Sequence, residues 1–220
     1  MQPLFDKGPQ RGSKMDTTQS TALVATSTPK SETGRARIQP GWPVPLVSNV
    51  VANCELGCIL NLHHISNTAW NVSWNRKRFH GLVMRIREPR TTALMFGSGR
   101  MVIVGANSES DSRLAGRKFA RIIQKMGYQV SFDNFKIQNI VASCDVGFPI
   151  RLEGIAAKYH HFAILERELF PGLVYHLINP KVTILMFSGG KIVLTGAKTR
   201  DQMYEAFSLI YPICMEFRKY

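Results

Sequence analysis

Short apolar runs alternate with longer amphipathic stretches along most of this chain. The segments Leu82–Ile86, Thr92–Phe96 and Met101–Val104 have the length and the β-branched content of strands, and Gly-containing tight turns separate the last two. Two later stretches, which begin near Ala115 and Ala206, repeat apolar residues at helical spacing. The pattern therefore predicts an α+β protein in which strand hairpins precede amphipathic helices.

This order of elements occurs twice. Residues 49–57 match residues 139–147 at an offset of 90, and after one insertion residues 79–107 match residues 170–198 at an offset of 91. Of the 29 positions in the second comparison, 13 carry the same residue. An internal repeat of this kind predicts two halves, 44–132 and 133–220, related by a pseudo-two-fold axis. Such symmetry is suited to gripping a duplex.

Residues 1–43 precede the repeat and are rich in Ser, Thr, Gln, Pro and Gly. They carry too few large apolar residues to offset the entropy of ordering, so we predict a disordered tail. The apolar runs of the whole chain are too short to span a bilayer, and the N-terminus lacks the apolar stretch of a signal peptide. We therefore expect no membrane partner and no secretory routing.

One face of the predicted sheet lacks a polar pattern. Met101–Val104 and Ile192–Thr195 are apolar on both faces, although each half has only enough helix to cover one face. A sandwich with two internal faces and a sheet whose open face binds a partner explain this about equally well. Arginines and lysines in or beside the same strands favour the second explanation, because an apolar strip rimmed by basic side chains suits a DNA minor groove.

The net charge supports a polyanionic partner. The chain has 28 Lys and Arg against 15 Asp and Glu, for a formal net charge of +13. Six basic and three acidic residues lie in residues 1–40, so the rest of the chain keeps a charge of +10. The excess therefore belongs to the folded part, where neutralised phosphates would release counterions. A merely basic soluble protein is the alternative on charge alone.

Nothing in the chain indicates an enzyme or a cofactor. There is no phosphate-binding glycine loop, no nucleophile elbow and no set of metal ligands. The four cysteines form no CxxC pair, and Cys54 and Cys58 with His63 and His64 fit no structural zinc spacing. We expect buried free thiols in a reducing compartment and no bound metal.

Several long strings carry a family resemblance. They include Met84-Arg-Ile-Arg-Glu-Pro-Arg-Thr-Thr-Ala-Leu94, Phe135-Lys-Ile-Gln-Asn-Ile-Val141 and Glu168-Leu-Phe-Pro-Gly172. On these strings residues 44–220 resemble the TATA-box-binding protein family. The resemblance implies a saddle of two pseudo-symmetric halves, with a curved antiparallel sheet below and helices above. It also implies a nuclear factor that binds and bends promoter DNA in the minor groove and nucleates the preinitiation complex with RNA polymerase machinery.

The resemblance assigns roles to individual residues. Four phenylalanines would be paired wedges in base steps at the two ends of the site, and two asparagines would donate to minor-groove acceptors near the pseudo-dyad. The wedges are Phe79, Phe96, Phe170 and Phe187, and the asparagines are Asn49 and Asn139. Residues expected on base edges and sugars are Val51, Val141, Val102, Val193, Leu94, Leu185 and Thr195. The basic residues expected at phosphates are Arg85, Arg90, Arg100, Lys191 and Lys198.

Some positions depart from the family pattern. Val104 stands where the family usually has threonine, His176 stands where it has arginine, and Asn107 and Asn179 stand where lysine is typical. Arg167 replaces a proline. These departures resemble those of a TBP-related factor, a divergent paralogue. They leave DNA bending as an expectation and remove the implication of a strict preference for TATA elements.

Protein partners also follow from the resemblance. The loop before Phe170 would contact a B-type initiation factor, a basic helix would meet an A-type factor, and polymerase-specific associated factors would join them. The loop residues are Glu166, Glu168 and Leu169, and the helix residues are Arg113, Arg117, Lys118, Arg121 and Lys125. A solvated helix face is the alternative for those five charges. The alternative function is a competitor or repressor that sequesters general transcription factors, which retention of the four phenylalanines and both asparagines disfavours.

Overall fold

The structure is a computed structural model that describes residues 38–220. Its ten strands and four helices repeat one order of elements twice, and in each half the predicted hairpin strands precede the long amphipathic helix. The first half comprises β1 (Leu46–Glu55), α1 (Leu62–Thr68), β2 (Val72–Ser73), β3 (Leu82–Ile86), β4 (Thr91–Met95), β5 (Arg100–Ala106) and α2 (Glu109–Lys125). The second half comprises β6 (Asp133–Asp145), α3 (Leu152–Lys158), β7 (Ala163–Ile164), β8 (Leu173–Leu177), β9 (Val182–Met186), β10 (Lys191–Ala197) and α4 (Arg200–Glu216).

All ten strands form one open antiparallel sheet in the order β2-β3-β4-β5-β1-β6-β10-β9-β8-β7. The two halves therefore meet at β1 and β6, in the middle of the sheet. This arrangement confirms the α+β class and the predicted saddle of two related halves, and it excludes the sandwich that the strand pattern left open.

Each half has its own core between the sheet and its helices. On α2, Ala115, Phe119 and Ile123 are fully buried, as the helical spacing predicted, while Ile122 is only half-buried. On α4, Ala206, Ile210 and Cys214 are likewise fully buried. Burial alternates along the strands, so one face packs on helices and the other does not.

Two glycine turns close the hairpins that join β4 to β5 and β9 to β10. Gly99 has a φ of +85° and Gly190 a φ of +97°, values that residues other than glycine rarely adopt. A Cβ on Gly99 would lie 2.2 Å from the carbonyl oxygen of Cys58, and one on Gly190 would lie 2.4 Å from that of Phe148. The predicted tight turns are confirmed, and they allow no side chain at these points.

Three details differ from the prediction. The two-residue strands β2 and β7 are too short to show a periodicity in the sequence and were not predicted. Cys58 is only half-buried, whereas Cys54, Cys144 and Cys214 are buried as expected. The last residues of the predicted tail pack on the second half, because the ring of Trp42 lies 4.5 Å from that of Tyr211. The remainder of that tail, 1–37, lies outside the described residues.

In residues 38–220, no helix is long and apolar enough to cross a membrane. Within the same residues, no three His, Cys, Asp or Glu side chains are grouped as a metal site requires.

Candidate nucleic-acid interface

The face of the sheet that carries no helices is apolar and only half-buried. In the first half a row of cross-strand neighbours runs from β3 through β4 and β5 to β1: Val83 lies opposite Leu94, Leu94 opposite Val102, and Val102 opposite Asn53. All four are half-buried, while their neighbours Met84, Ala93 and Ile103 point to the other face and are fully buried. The row therefore forms a partly exposed apolar strip.

The second half repeats this row. Val174 lies opposite Leu185, Leu185 opposite Val193, and Val193 opposite Ser143. Each residue is half-buried, as are its counterparts in the first half. At the centre of the sheet Val51 lies opposite Asn139 and Asn49 opposite Val141. The predicted base-edge residues thus share one continuous uncovered face.

Two phenylalanine pairs lie at the outer parts of this face. The rings of Phe79 and Phe96 are 5.8 Å apart at 67°, and those of Phe170 and Phe187 are 5.7 Å apart at 60°. None of the four is buried, and Phe79 is 37% exposed. The four phenylalanines therefore lie outside both hydrophobic cores. Each pair presents a rigid apolar edge that can enter a stack of bases.

A glycine supports each ring pair. A Cβ added to Gly81 would lie 2.5 Å from Cε1 of Phe79, and one added to Gly172 would lie 2.8 Å from Cε1 of Phe170. Any side chain at these positions would therefore displace a phenylalanine ring. Both glycines recur in the repeat, and this recurrence next to the phenylalanines was the signal in the sequence.

A β-bulge in each half positions the central asparagine. Val50 pairs with Ala106 and Ala52 with Ile103, so β5 has one residue more than β1 over this stretch. Between Leu194 and Ala197, β10 likewise has one residue more than β6. The bulges put Gly105 and Gly196 at positive φ, and their N–H groups donate to Oδ1 of Asn49 and of Asn139, both at 2.7 Å. Each amide oxygen is thus occupied, and each Nδ2 remains as the donor.

The two asparagines differ in their second contact. Asn139 Nδ2 donates to the hydroxyl of Thr195 at 3.1 Å. At the position equivalent to Thr195 the first half has Val104, and in residues 38–220 Asn49 Nδ2 has no acceptor. The departure predicted from the sequence therefore changes a hydrogen bond within the interface.

The predicted phosphate-binding side chains are all exposed. Arg85 extends the strip on β3, Arg90 lies in the turn between β3 and β4, and Lys198 follows β10. Arg100 and Lys191 begin β5 and β10, and each faces a carboxylate on the next strand, Glu55 or Asp145. These acidic neighbours reduce the local positive charge at two of the five positions, which the sequence could not show.

His176 occupies the place that Arg85 has in the first half. Arg85 lies opposite Thr92, and His176 lies opposite Thr183. The distance from Nδ1 of His176 to Oγ1 of Thr183 is 3.2 Å. The basic rim is therefore stronger beside the first half at this position.

The predicted protein-binding residues lie away from the strip. Glu166, Glu168 and Leu169 form an exposed turn in which the N–H groups of Leu169 and Phe170 donate to the carbonyl of Glu166. Leu169 is 82% exposed.

The five basic residues of α2 are all exposed, but three have contacts within the chain. Lys118 donates to the carbonyl of Glu88 at 2.6 Å, Arg121 donates to Gln124, and Arg113 lies 4.4 Å over the ring of Phe135. These contacts favour a structural contribution for those three, beside any partner contact of the helix.

Prediction from the sequence missed part of the strip. Val83, Val174, Thr92 and Thr183 are half-buried on the same face as the predicted residues. Their signal was available, because Val83 and Thr92 are identical to their counterparts and lie two residues from other strip residues.

A duplicated half with an open apolar sheet face, paired aromatic edges and a basic rim defines a two-fold nucleic-acid-binding saddle. Comparison with known proteins agrees. The profile of the family described as "Transcription factor TFIID (or TATA-binding protein, TBP)" matches residues 44–126 and 134–217. The chain belongs to this family, and the two matched segments correspond to the internal repeat.

Individual relatives are similar over most of the chain. The TATA-box-binding protein of Saccharomyces cerevisiae is 57% identical over 176 residues, which cover 80% of this chain and 73% of that protein. That of Schizosaccharomyces pombe is 56% identical over 177 residues, covering 80% and 77%. A solved structure titled "Methanococcus jannaschii TBP" superposes with a TM-score of 0.70 at 32% identity, covering 79% of this chain and 99% of that one.

Proposed function

We propose that this chain is a nuclear transcription initiation factor that binds promoter DNA in the minor groove, bends it, and nucleates a preinitiation complex. The single observation that carries the proposal is the uncovered sheet face, which has a phenylalanine pair at each end and a basic rim. Relatives named TATA-box-binding protein, at more than half identity, support the same function.

In this proposal the three parts of the face have different roles. The exposed basic side chains bind phosphates and set affinity without reading sequence. The apolar strip lies on sugars and base edges, where the minor groove distinguishes A·T from G·C but not A·T from T·A. The phenylalanine pairs open base steps, so that easily deformed sequences are preferred. The central asparagines donate to acceptors near the pseudo-dyad.

A bending assay tests the function directly. The protein would be titrated into A·T-rich and G·C-rich duplexes labelled at both ends, with energy transfer read as bending and gel shift read as affinity. We expect tight binding and bending of the A·T-rich duplex. The double variant Phe79→Ala with Phe170→Ala should reduce the affinity for DNA by about tenfold or more and decrease the bend. One phenylalanine of each pair is then no longer present to open a base step.

Phe162→Ala provides a matched control, because Phe162 is 40% exposed and lies beside Tyr175, outside the strip. It should leave binding and bending unchanged. Equal effects of the control and of the double variant would contradict the proposal, as would wild-type protein that binds both duplexes without bending.

Partner contacts form a second level of the proposal. The exposed turn with Glu166, Glu168 and Leu169 is the proposed contact for a B-type factor, and the basic face of α2 is that for an A-type factor. Glu168→Arg should abolish a ternary complex with the B-type factor while DNA binding by the chain alone is retained. Arg117→Glu should do the same for the A-type factor. Loss of both ternary complexes from either variant would argue against separate contacts.

A further inference from the structure

The N-termini of α2 and α4 meet across the boundary between the two halves. Glu109 is the first residue of α2, after the N-cap Ser108, and Arg200 is the first residue of α4, after the N-cap Thr199. The two positions are equivalent in the repeat, since they are separated by its offset of 91. Equivalent residues near a two-fold axis face each other, so this position faces its own counterpart.

The pair is well formed. Arg200 Nε lies 2.9 and 2.7 Å from the two carboxylate oxygens of Glu109, and Nη2 lies 2.7 Å from Oε2. The side chains are 34% and 28% exposed, so solvent screens the pair only in part. Within residues 38–220 it is the one ion pair that joins the halves.

If both copies of such a position are charged, their charges must be opposite to attract. Two copies of either residue would place like charges against each other. Glu109 also suits the positive end of its own helix, whereas a cation at the N-terminus of α4 is unfavourable for that helix. Arg200 is therefore explained by its partner in the other half rather than by its own helix.

The directions in which the pKa values of Glu109 and Arg200 are shifted agree with a formed pair. Burial would raise the pKa of Glu109, but the hydrogen bonds from Arg200 and from the backbone, with the charge of Arg200, hold it below its ordinary value. The hydrogen bond to Glu109 in turn raises the pKa of Arg200.

The rest of the boundary is irregular. The pairing of β1 with β6 shifts register three times, between Val47 and Asn49, between Val51 and Ala52, and between Asn53 and Glu55. Irregular pairing bends a strand and weakens the ladder locally. The sheet joins the halves, but it constrains the angle between them less than a regular ladder would.

We infer that Glu109 and Arg200 are positioning residues that clamp the two halves on the helix side and thereby set the opening of the sheet face. The two clamp residues belong to the N-termini of α2 and α4 and not to the apolar strip. The effect of the clamp on DNA, which rests on the proposed function, is to hold the two phenylalanine pairs at the separation that the bent duplex requires.

A charge swap tests the clamp. Glu109→Arg and Arg200→Glu each put like charges face to face, and the double variant restores an opposite pair in reverse order. We expect each single variant to broaden the bend distribution and to speed dissociation from DNA by about three- to tenfold. The double variant should recover most of both properties. Lys158→Glu is the matched control, because its exposed ion pair with Glu216 lies within the second half, and it should change neither.

A readout without DNA separates this inference from the proposed function. Spin labels on Ser98→Cys and Ser188→Cys, in a Cys58→Ser background, report the distance between the two hairpin turns in the free protein. Each single charge variant should widen that distance distribution, and the swap should narrow it again. Unchanged distributions in both single variants would overturn the clamp. Wild-type protein that fails to bend DNA would overturn the proposed function, whatever the distances.

Discussion

The two halves share a backbone plan but differ in how their outer edges are filled. In the second half Tyr159 and Phe162 lie against the ring of Tyr175, and Phe217 at the end of α4 packs on α3. The first half has smaller or more polar residues at the equivalent positions and an open cavity of about 1100 Å³ there. The equivalent pairs are Tyr159 and Ala69, Phe162 and Asn71, and Phe217 and Met126.

Hydrogen bonds establish that these positions are equivalent. The N–H groups of Tyr159 and Ala69 both donate to the carbonyl four residues earlier in their helices. The carbonyls of Phe162 and Asn71 accept from His176 and Arg85, which are themselves equivalent. The backbone is therefore conserved between halves while the side-chain volume is not.

The difference has a physical consequence for each half. Phe217 is 8% exposed and packs so closely that a Cβ on Gly154 would lie 2.6 Å from its Cδ1. In the first half the cavity is bordered by arginines and by Trp70, which is 87% exposed. Buried aromatic area stabilises a core strongly, so we expect the second half to be the more stable one. The two halves thus share their topology but differ in the side chains that fill their outer edges.

The largest expected effect is a difference in stability between variants at the outer edges of the two halves. Phe217→Ala should lower the free energy of unfolding by about 3–5 kcal/mol, because it removes a buried ring. Met126→Ala should cost about 1 kcal/mol, since that side chain is already half-exposed beside the cavity. Urea unfolding of both variants measures this. Equal losses would contradict the difference in packing between the halves.

The next effect concerns the asymmetric hydrogen bonds at the centre of the strip. Minor-groove acceptors left unpaired after desolvation cost about 1–3 kcal/mol. The half with Val104 offers no hydroxyl there, so Val104→Thr should raise the preference for pure A·T sites, and Thr195→Val should relax it at the opposite end. Binding-site selection on the wild type and both variants measures this. Identical preferred sequences in all three would assign specificity to DNA deformability instead.

A smaller effect is expected at the rim. Arg85→Ala should weaken binding to all sequences about equally and reduce the slope of log affinity against log salt by about one unit. His176→Arg should raise this slope, because it puts a permanent cation at the position that Arg85 has in the first half. Selective loss of one sequence class from Arg85→Ala would instead show that this residue reads bases.

The smallest effect distinguishes the cysteines. Burial, with a minor contribution from Glu55, raises the pKa of Cys54 to about 12, and burial with Asp145 raises that of Cys144 to about 11. Burial likewise raises the pKa of Cys214 to about 12. Thiolates are the reactive form, so the native protein should react with iodoacetamide at pH 7.5 mainly through half-buried Cys58. Mass spectrometry locates the label, and reaction of all four cysteines after denaturation is the control. Fast native labelling of Cys144 would contradict its burial.

The repeat, the hairpins and the helices could be predicted from the sequence, and the basic residues beside the strands favoured an uncovered strip. These features depend on local periodicity and on recurrence at a fixed offset, both of which can be read from one chain. Phe79, Asn49 and their counterparts were found in this way, and the resemblance supplied their roles. Strand ends were predicted to within a few residues, but β2 and β7 were missed because two residues carry no period.

Contacts between residues far apart in the chain could not be predicted from the sequence. The bulges let the N–H groups of Gly105 and Gly196 donate to the central asparagines, and these bulges arise from pairing between strands far apart in the chain. The contact of Glu109 with Arg200 requires the axis between the halves, and the cavity requires three replaced side chains on separate elements to converge. Sequence patterns record the environment of each position along its own element, whereas packing depends on the sum of side-chain volumes and charges that folding brings together.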